Sequence, residues 1–398
     1  MTASLRRGGS AVAFSWNRDA DPTAPKFSEA LAAHRFRSIE RAASEEVSVG
    51  WVTPGDATGD SFEAEDMCAG SAGWLRFRRD VKKLPAARLQ MEIANAERAR
   101  GKRLSARERR ELKDHLHEQL LPGILPRTTL TDVLVSGDCR TALLLTSGAS
   151  ARDALGELTN GALQFYPTRL SAGELATRVH GDAVGKLQRE VWPGGGPKQR
   201  TLALNGDFLG DEFLLWLWWQ SEVDGGTFLL PAGREGGEDR LYRECGVVVH
   251  ELVAFEAEDE ATSLVLRHGL TTRAAEARAA LREGRCPTKL RLLIAEGSRE
   301  WFVTLDGSLA MGAVRLPDHP ESEDPVTPLD LTYDRAEQWL RLWQIVEHLF
   351  DLFMGHRAGD GWGDRRAEIA AWMAGNGLHS VRVDIERALR MPATGGGA

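Results

Sequence analysis

Apolar residues recur along this chain at two spacings, and the places where one spacing gives way to the other mark its elements. Ala11 to Trp16 reads as a strand, and Phe27, Leu31 and Phe36, between Pro25 and Ile39, recur at roughly helical spacing. β-rich stretches follow at Val47 to Val52 and Gly73 to Phe77. From Pro85, a residue suited to a first helical turn, Leu89 and Ile93 share one face of a helix crowded with charge, and Gly101 interrupts it. Ser105 with Glu108 three positions on forms a capping box. It opens a second helix whose Leu112, Leu116 and Leu120 line one face until Pro122. The stretch reads as a helical arm that leaves and rejoins a sheet. Thr129 to Val135 and Thr141 to Leu145, joined by Ser136-Gly137-Asp138, read as a hairpin, with a short helix over Ser150 to Leu158 behind it.

Farther on, Trp192-Pro-Gly-Gly-Gly-Pro-Lys is a loop that separates lobes. Phe208 to Gln220 is apolar nearly all round, which predicts a buried helix, and it is too short to cross a bilayer. Val247 to Phe255, Ser263 to Leu266, Lys289 to Ile294 and Trp301 to Leu305 read as strands, with an alanine-rich helix over Thr272 to Glu283. Pro317 to Asp330, rich in proline and acids, reads as a linker or surface loop. Asp334 with Glu337 is expected to cap a helix on which Trp339, Leu340, Trp343, Val346, Phe350 and Phe353 recur at helical spacing, and the Gly-rich end from Thr394 is expected to fray. The expected class is α+β, multi-lobed, with mixed sheets and a projecting helical arm. Its expected divisions are 1–170 (arm at about 78–128), a middle region 171–330 and a helical region 331–398.

Composition adds one asymmetry. The chain has 398 residues, is 42% hydrophobic and carries a net charge of -8. That is enough for two or three cores. Between Arg76 and Lys113 stand fourteen Lys or Arg against five acids, so this segment carries +9 and the remainder -17. The bases that this pattern and its surroundings nominate for phosphate are Arg78, Arg79, Lys82, Lys83, Arg88, Arg98, Arg100, Lys102, Arg103, Arg107, Arg109, Arg110, Lys113 and Arg127. Arginine predominates, and a guanidinium meets phosphate oxygens with two parallel hydrogen bonds. The competing reading is a solvated helix laced with pairs such as Arg107 with Glu111, for which the acids are too few. Composition leaves DNA, RNA and anionic lipid open. The four cysteines are far apart in sequence, with no zinc-type pair, and no apolar leader follows Arg6 and Arg7. A reduced, cytoplasmic protein without membrane spans is expected.

Several short motifs bear a family likeness. Gly50-Trp51-Val52-Thr53-Pro54, the basic run Arg78 to Pro85, Leu120-Leu121-Pro122, Pro287-Thr288-Lys289-Leu290-Arg291-Leu292 and Asp306-Gly307-Ser308-Leu309 occur in the order and spacing of the recombination-associated RdgC family, which the chain resembles as a divergent member. The resemblance implies a homodimer closed into a ring, nucleoid-associated, whose basic lumen takes duplex DNA irrespective of sequence and limits access of the RecA recombinase. Gly123 and Leu125 stand where the family often has arginine and an aromatic residue near a subunit contact, and Arg127 is a substitute for the lost charge. About 192–269 matches poorly. Leu116, Leu120, Leu121 and Leu125 form an apolar row that the arm is not expected to bury against its own body, so a dimer contact is expected there.

Other constellations point to no catalysis, metal or cofactor. Trp216, Trp218 and Trp219 are flanked by leucines and belong in a core rather than on a base-stacking platform. Gly181-Asp-Ala-Val-Gly-Lys-Leu is one residue short of a phosphate loop and lacks its Ser or Thr. His115 and His117 fall on different helix faces. His250 behind Val247-Val248-Val249 reads as a structural histidine. With Glu251, Glu256, Glu258, Asp259 and Glu260 it is also the basis of an alternative reading, a metal-dependent nuclease acting in recombination or repair.

Overall fold

The computed structural model describes residues 5–42, 44–195, 208–232, 241–255, 263–269, 271–319 and 326–375. Glu256 to Glu260 and the Gly-rich end lie outside the described residues, as do parts of the loops at 192–198 and 317–330. The chain divides into two units. The first comprises Phe14–Thr168 with Met1–Arg6 and Glu321–Leu340, the second Arg7–Ala13, Arg169–Pro320 and Arg341–Ala398. The region from 331 onward is thus shared between the units.

The first residues of β1 (Gly8–Ser15) belong to the second unit. The first unit continues with α1 (Pro25–Ala33), β2 (Val47–Val52), β3 (Cys68–Ala69), β4 (Ala72–Val81), α2 (Ala86–Arg100), α3 (Ala106–Leu120), β5 (Arg127–Val135), β6 (Thr141–Leu144) and α4 (Ala149–Leu163). Its sheet runs β2-β4-β5-β6, with β3 added to β4. β4 and β5 pair from Gly73 opposite Val135 to Val81 opposite Arg127. Trp51 and Phe77 meet edge to face at 6.0 Å on the sheet face that also carries the buried Leu75, Val133 and Leu144. Gly50 is required: a Cβ there would stand 2.3 Å from the backbone of Phe36, whose N–H bonds Trp51 across the crossing.

β4 runs four residues beyond its expected end, and alternation along it explains why the basic run is not a single patch. Arg76 is buried and pairs with Asp132 on β5 (Nε to Oδ1, 2.6 Å), which also accepts from Trp74 Nε1 at 2.9 Å. Two residues on, Arg78 makes a two-pronged pair with Asp80 (2.6 and 2.9 Å) and lies 4.4 Å from the ring of Phe36. Each cation has a carboxylate partner, as burial demands.

The second unit holds α5 (Ala172–His180), α6 (Phe208–Val223), β7 (Thr227–Pro231), β8 (Tyr242–Phe255), β9 (Leu264–Arg267), α7 (Ala275–Arg282), β10 (Lys289–Glu296), β11 (Arg299–Asp306) and β12 (Met311–Arg315). Its sheet runs β1-β12-β11-β10-β8-β7, with β9 on β8. α8 (Pro328–Arg357) continues into it from the first unit, and α9 (Trp362–Met373) follows. α6 is buried almost throughout, as its apolar circumference predicts, and Phe213 and Trp216 pack on Phe350 and Phe353. Gly210 passes so close to the carbonyl of Gly307 that no side chain fits.

The α+β class stands, but the ladders within each unit are antiparallel rather than mixed. α8 begins six residues before the expected cap, because Thr327 and Asp330 cap each other reciprocally (2.9 and 3.2 Å); part of the expected linker is helix. β7, β12, α5 and α9 are additional to the elements the apolar spacing predicts. No helix among the described residues is long and apolar enough to cross a membrane.

Candidate nucleic-acid interface

The charged arm is a helical hairpin whose turn is built from its own polar residues. α2 buries none of its side chains, so little apolar packing orders it. Gly101 ends it in the left-handed conformation (φ 67°), which favours glycine. The capping box at α3 is complete: the Glu108 N–H donates to Ser105 Oγ (3.3 Å) and the Ser105 N–H to Glu108 Oε2 (2.8 Å). Arg100 pairs back to Glu108 at 2.6 Å, Arg109 to Glu97 at 2.8 Å, and the N–H of Leu104 donates to the same Glu97 oxygen at 3.1 Å. These reciprocal bonds tie the end of α2 to the start of α3 around the buried Leu104.

Hydrogen bonds from the backbone and hydroxyl of Ser105, helped by Arg100, hold the Glu108 carboxyl down at about 2. Glu97 is likewise lowered, by Arg109 and the Leu104 amide. A depressed carboxylate stabilises above its ordinary value and ceases to do so as pH falls through its folded value. We therefore expect amide-exchange protection at residues 107–109 to persist down to about pH 3, fade towards pH 2, and be weakened at every pH in Ser105→Ala.

With the hairpin closed, the fourteen nominated bases separate by environment. Lys82 must be withdrawn: it is 1% exposed, and its Nζ donates to the carbonyls of Ala42 (2.9 Å) and Leu121 (3.2 Å) inside the first unit. Arg78 is committed to Asp80. Arg88, Arg100, Arg107 and Arg109 pair with Glu92, Glu108, Glu111 and Glu97 at 2.6 to 2.8 Å, but at half-exposed or exposed positions where solvent screens such pairs and they yield readily to a phosphate. Arg79, Lys83, Arg98, Lys102, Arg103, Arg110, Lys113 and Arg127 form no ion pair among the described residues, and all but the half-buried Arg79 are exposed. Every acid of the 76–113 segment is already paired, so this excess has nothing local to neutralise it.

The leucine row is also corrected. Leu116 and Leu121 are buried within the first unit, Leu121 to 2%, because the chain turns in at Leu121–Gly123 and Lys82 reaches the Leu121 carbonyl. Leu120 is half-buried, and Leu125, at 75%, is the exposed member. Leu121→Asp would therefore place an unpaired carboxylate in a core and lower first-unit stability by about 2–4 kcal/mol. Denaturation midpoints should move even at concentrations where any dimer has dissociated. Leu125→Asp, by contrast, should leave them in place.

The remaining constellations resolve simply. Trp216, Trp218 and Trp219 are buried. Gly181–Lys186 is a 3-10 turn after α5 and not a strand-to-helix phosphate loop. His117 approaches Glu46 at 3.4 Å, while His115 is exposed elsewhere on α3. His250 is not a core residue: its side chain is 40% exposed and its ring lies 5.6 Å from that of Phe302.

The chain is thus a two-unit α+β protein that carries an arginine-rich helical hairpin on its first unit. Residues 10–178, which contain the hairpin and the sheet it springs from, match the family model described as "Putative exonuclease, RdgC". The match covers less than half of the chain and is a likeness of that segment to the family. No curated protein matches the chain.

Proposed function

We propose that the chain is a sequence-independent DNA-binding protein of recombination, whose α2–α3 arm is the principal phosphate contact. The observation that carries this reading is the set of exposed bases on and beside the arm that have no acid to neutralise them, in a chain otherwise strongly acidic. A helical hairpin with charge on its outer faces offers cations to a backbone without presenting the ordered donors and acceptors that read base edges, so affinity follows phosphate spacing rather than sequence. In this reading the protein acts as a homodimer around or along duplex DNA, with Leu125 near the contact between copies, and limits RecA access by occupancy rather than by catalysis.

The test is a titration of the purified protein with labelled duplexes of unrelated sequence. Equal affinities and a steep fall of log K with log salt, about 0.9 per phosphate neutralised, support the reading. A flat salt dependence or a strong preference for one sequence overturns it.

The family model's description as an exonuclease favours a second reading, a nuclease, which we take as metal-dependent with its ligands among the acids from Glu251 to Glu260. Among the described residues no three His, Cys, Asp or Glu side chains are grouped as metal ligands would be, and Glu256, Glu258, Asp259 and Glu260 lie outside them. Degradation of end-labelled DNA with magnesium, lost in Glu256→Ala with Asp259→Ala, would put that reading first.

A further inference from the structure

The second unit's sheet has an open face. On β10, Leu290, Leu292 and Ile294 point inward, while Arg291, Leu293 and Ala295 point out. On β11, Trp301, Val303 and Leu305 are buried, with Phe302 and Thr304 on the open side. Register sets Val248, Leu293, Phe302 and Arg315 in one row across four strands, with Arg291, Thr304 and Gly312 in the next.

Two irregularities aim side chains at one ring. β12 slips register between the partners of Phe302 and Thr304, with Ala313 at φ 45°, and β8 slips between Val249 and Val253, with Glu251 at φ 55°. Bulges of this kind re-aim side chains. Here the Arg291 and Arg315 guanidinium carbons lie 5.6 and 5.8 Å from the Phe302 centroid, and the His250 ring at 5.6 Å. Neither arginine forms an ion pair among the described residues; Arg291 Nη1 donates to the Ala313 carbonyl at 3.3 Å. His250 contacts Glu251 at 3.4 Å. Gly8 opposite Arg315 and Gly312 opposite Thr304 bring no side chain to cover them. Of the acids on this face, Glu244 and Glu300 lie on the side of the row away from Arg291, and Asp306, opposite Lys289, lies on the Arg291 side.

We propose that this face binds a single-stranded segment of nucleic acid, its bases on the Phe302, Leu293 and Val248 row and its phosphates on Arg291 and Arg315. Guanidinium groups without an acid partner complement a polyanion, and a half-exposed aromatic ring between them suits an unpaired base, which a duplex keeps stacked inside. The inference rests on the DNA-binding reading above, but it uses the other unit and residues outside the family match at 10–178.

The experiment is fluorescence anisotropy of the full chain with labelled oligothymidylate and, in parallel, a labelled duplex. Phe302→Ala should weaken oligothymidylate binding about fivefold to a hundredfold, Phe302→Tyr should retain it, and Arg291→Glu with Arg315→Glu should weaken it at least about tenfold. Duplex affinity should stay within about twofold in all three, and unchanged melting temperatures would show that each variant folds. Unchanged oligothymidylate binding, equal loss on duplex, or a shift in oligomeric state that marks the face as a contact between copies would overturn the inference. Loss of duplex binding in arm variants would then leave the DNA-binding reading standing alone. Failure of the wild type to bind either probe would remove both.

Discussion

Replacing Arg98, Arg103 and Arg110 together with Glu should lower affinity for duplex DNA at least about 100-fold near 0.1 M salt and flatten the salt slope by about 3. All three are exposed and form no ion pair among the described residues, so their first loss on binding is counterions and not a carboxylate. Reversal changes the arm by six charges and turns attraction into repulsion of the backbone. The turn should survive, because the bonds that close it belong to Glu97, Arg100, Leu104, Ser105, Glu108 and Arg109. A melting temperature within a few degrees of wild type is expected: Arg103 and Arg110 are surface substitutions, and Arg98 adds only the modest cost of an acid in the last turn of α2. As a control, Arg107→Glu alone should act weakly, because Arg107 already shares its charge with Glu111. Undiminished duplex binding by the triple variant would remove the arm from the interface.

The arm itself was legible in the sequence because its determinants are local: a glycine, a capping box, and leucines at helical spacing. What was not legible depends on pairing between distant segments. The run from Arg76 to Lys83 reads as one basic patch until β4 is known to extend to Val81; then Arg76, Arg78, Asp80 and Lys82 alternate with their neighbours, and all four become internal partners or donors. Period-two spacing of charge was the available signal, but the acid that answers Arg76 is Asp132 on another strand. Leu121 is similar: its neighbours suggest a free row, and only the approach of Lys82 shows that the chain turns inward. The cluster at Phe302 gathers residues from β8, β10, β11 and β12 through two bulges, whose positions alternation along a single strand does not reveal. Register decides such sites, and a slip of one residue sends every side chain to the opposite face.

The same dependence on distant partners sets the stability of the second unit at Arg357. Glu212 on α6 is nearly fully buried; its Oε2 accepts from Arg357 Nε at 2.7 Å and its Oε1 from the Glu190 N–H at 2.7 Å. Arg357 also donates to the Gln188 carbonyl at 2.6 Å and lies 4.9 Å from the Trp362 ring, so it joins α6, α8, α9 and the segment at 188–190. Arg357→Met keeps most of the volume but leaves a carboxylate with one backbone donor in a core, at a cost of about 3–5 kcal/mol. Burial already raises the Glu212 carboxyl above its ordinary value, against the pull of Arg357. An acid raised in the folded state binds its proton more readily there than when unfolded, so stability falls as pH rises from the ordinary carboxylate value through the folded one. Without Arg357 that window reaches farther up. We expect the variant's unfolding midpoint to drop more at pH 8 than at pH 5, and Glu212→Gln in the Arg357→Met background to erase the difference while recovering part of the loss. Equal midpoints for Arg357→Met and wild type at both pH values would show that the buried pair contributes nothing net, and a loss independent of pH would assign the cost to packing around Trp362 rather than to the charge on Glu212.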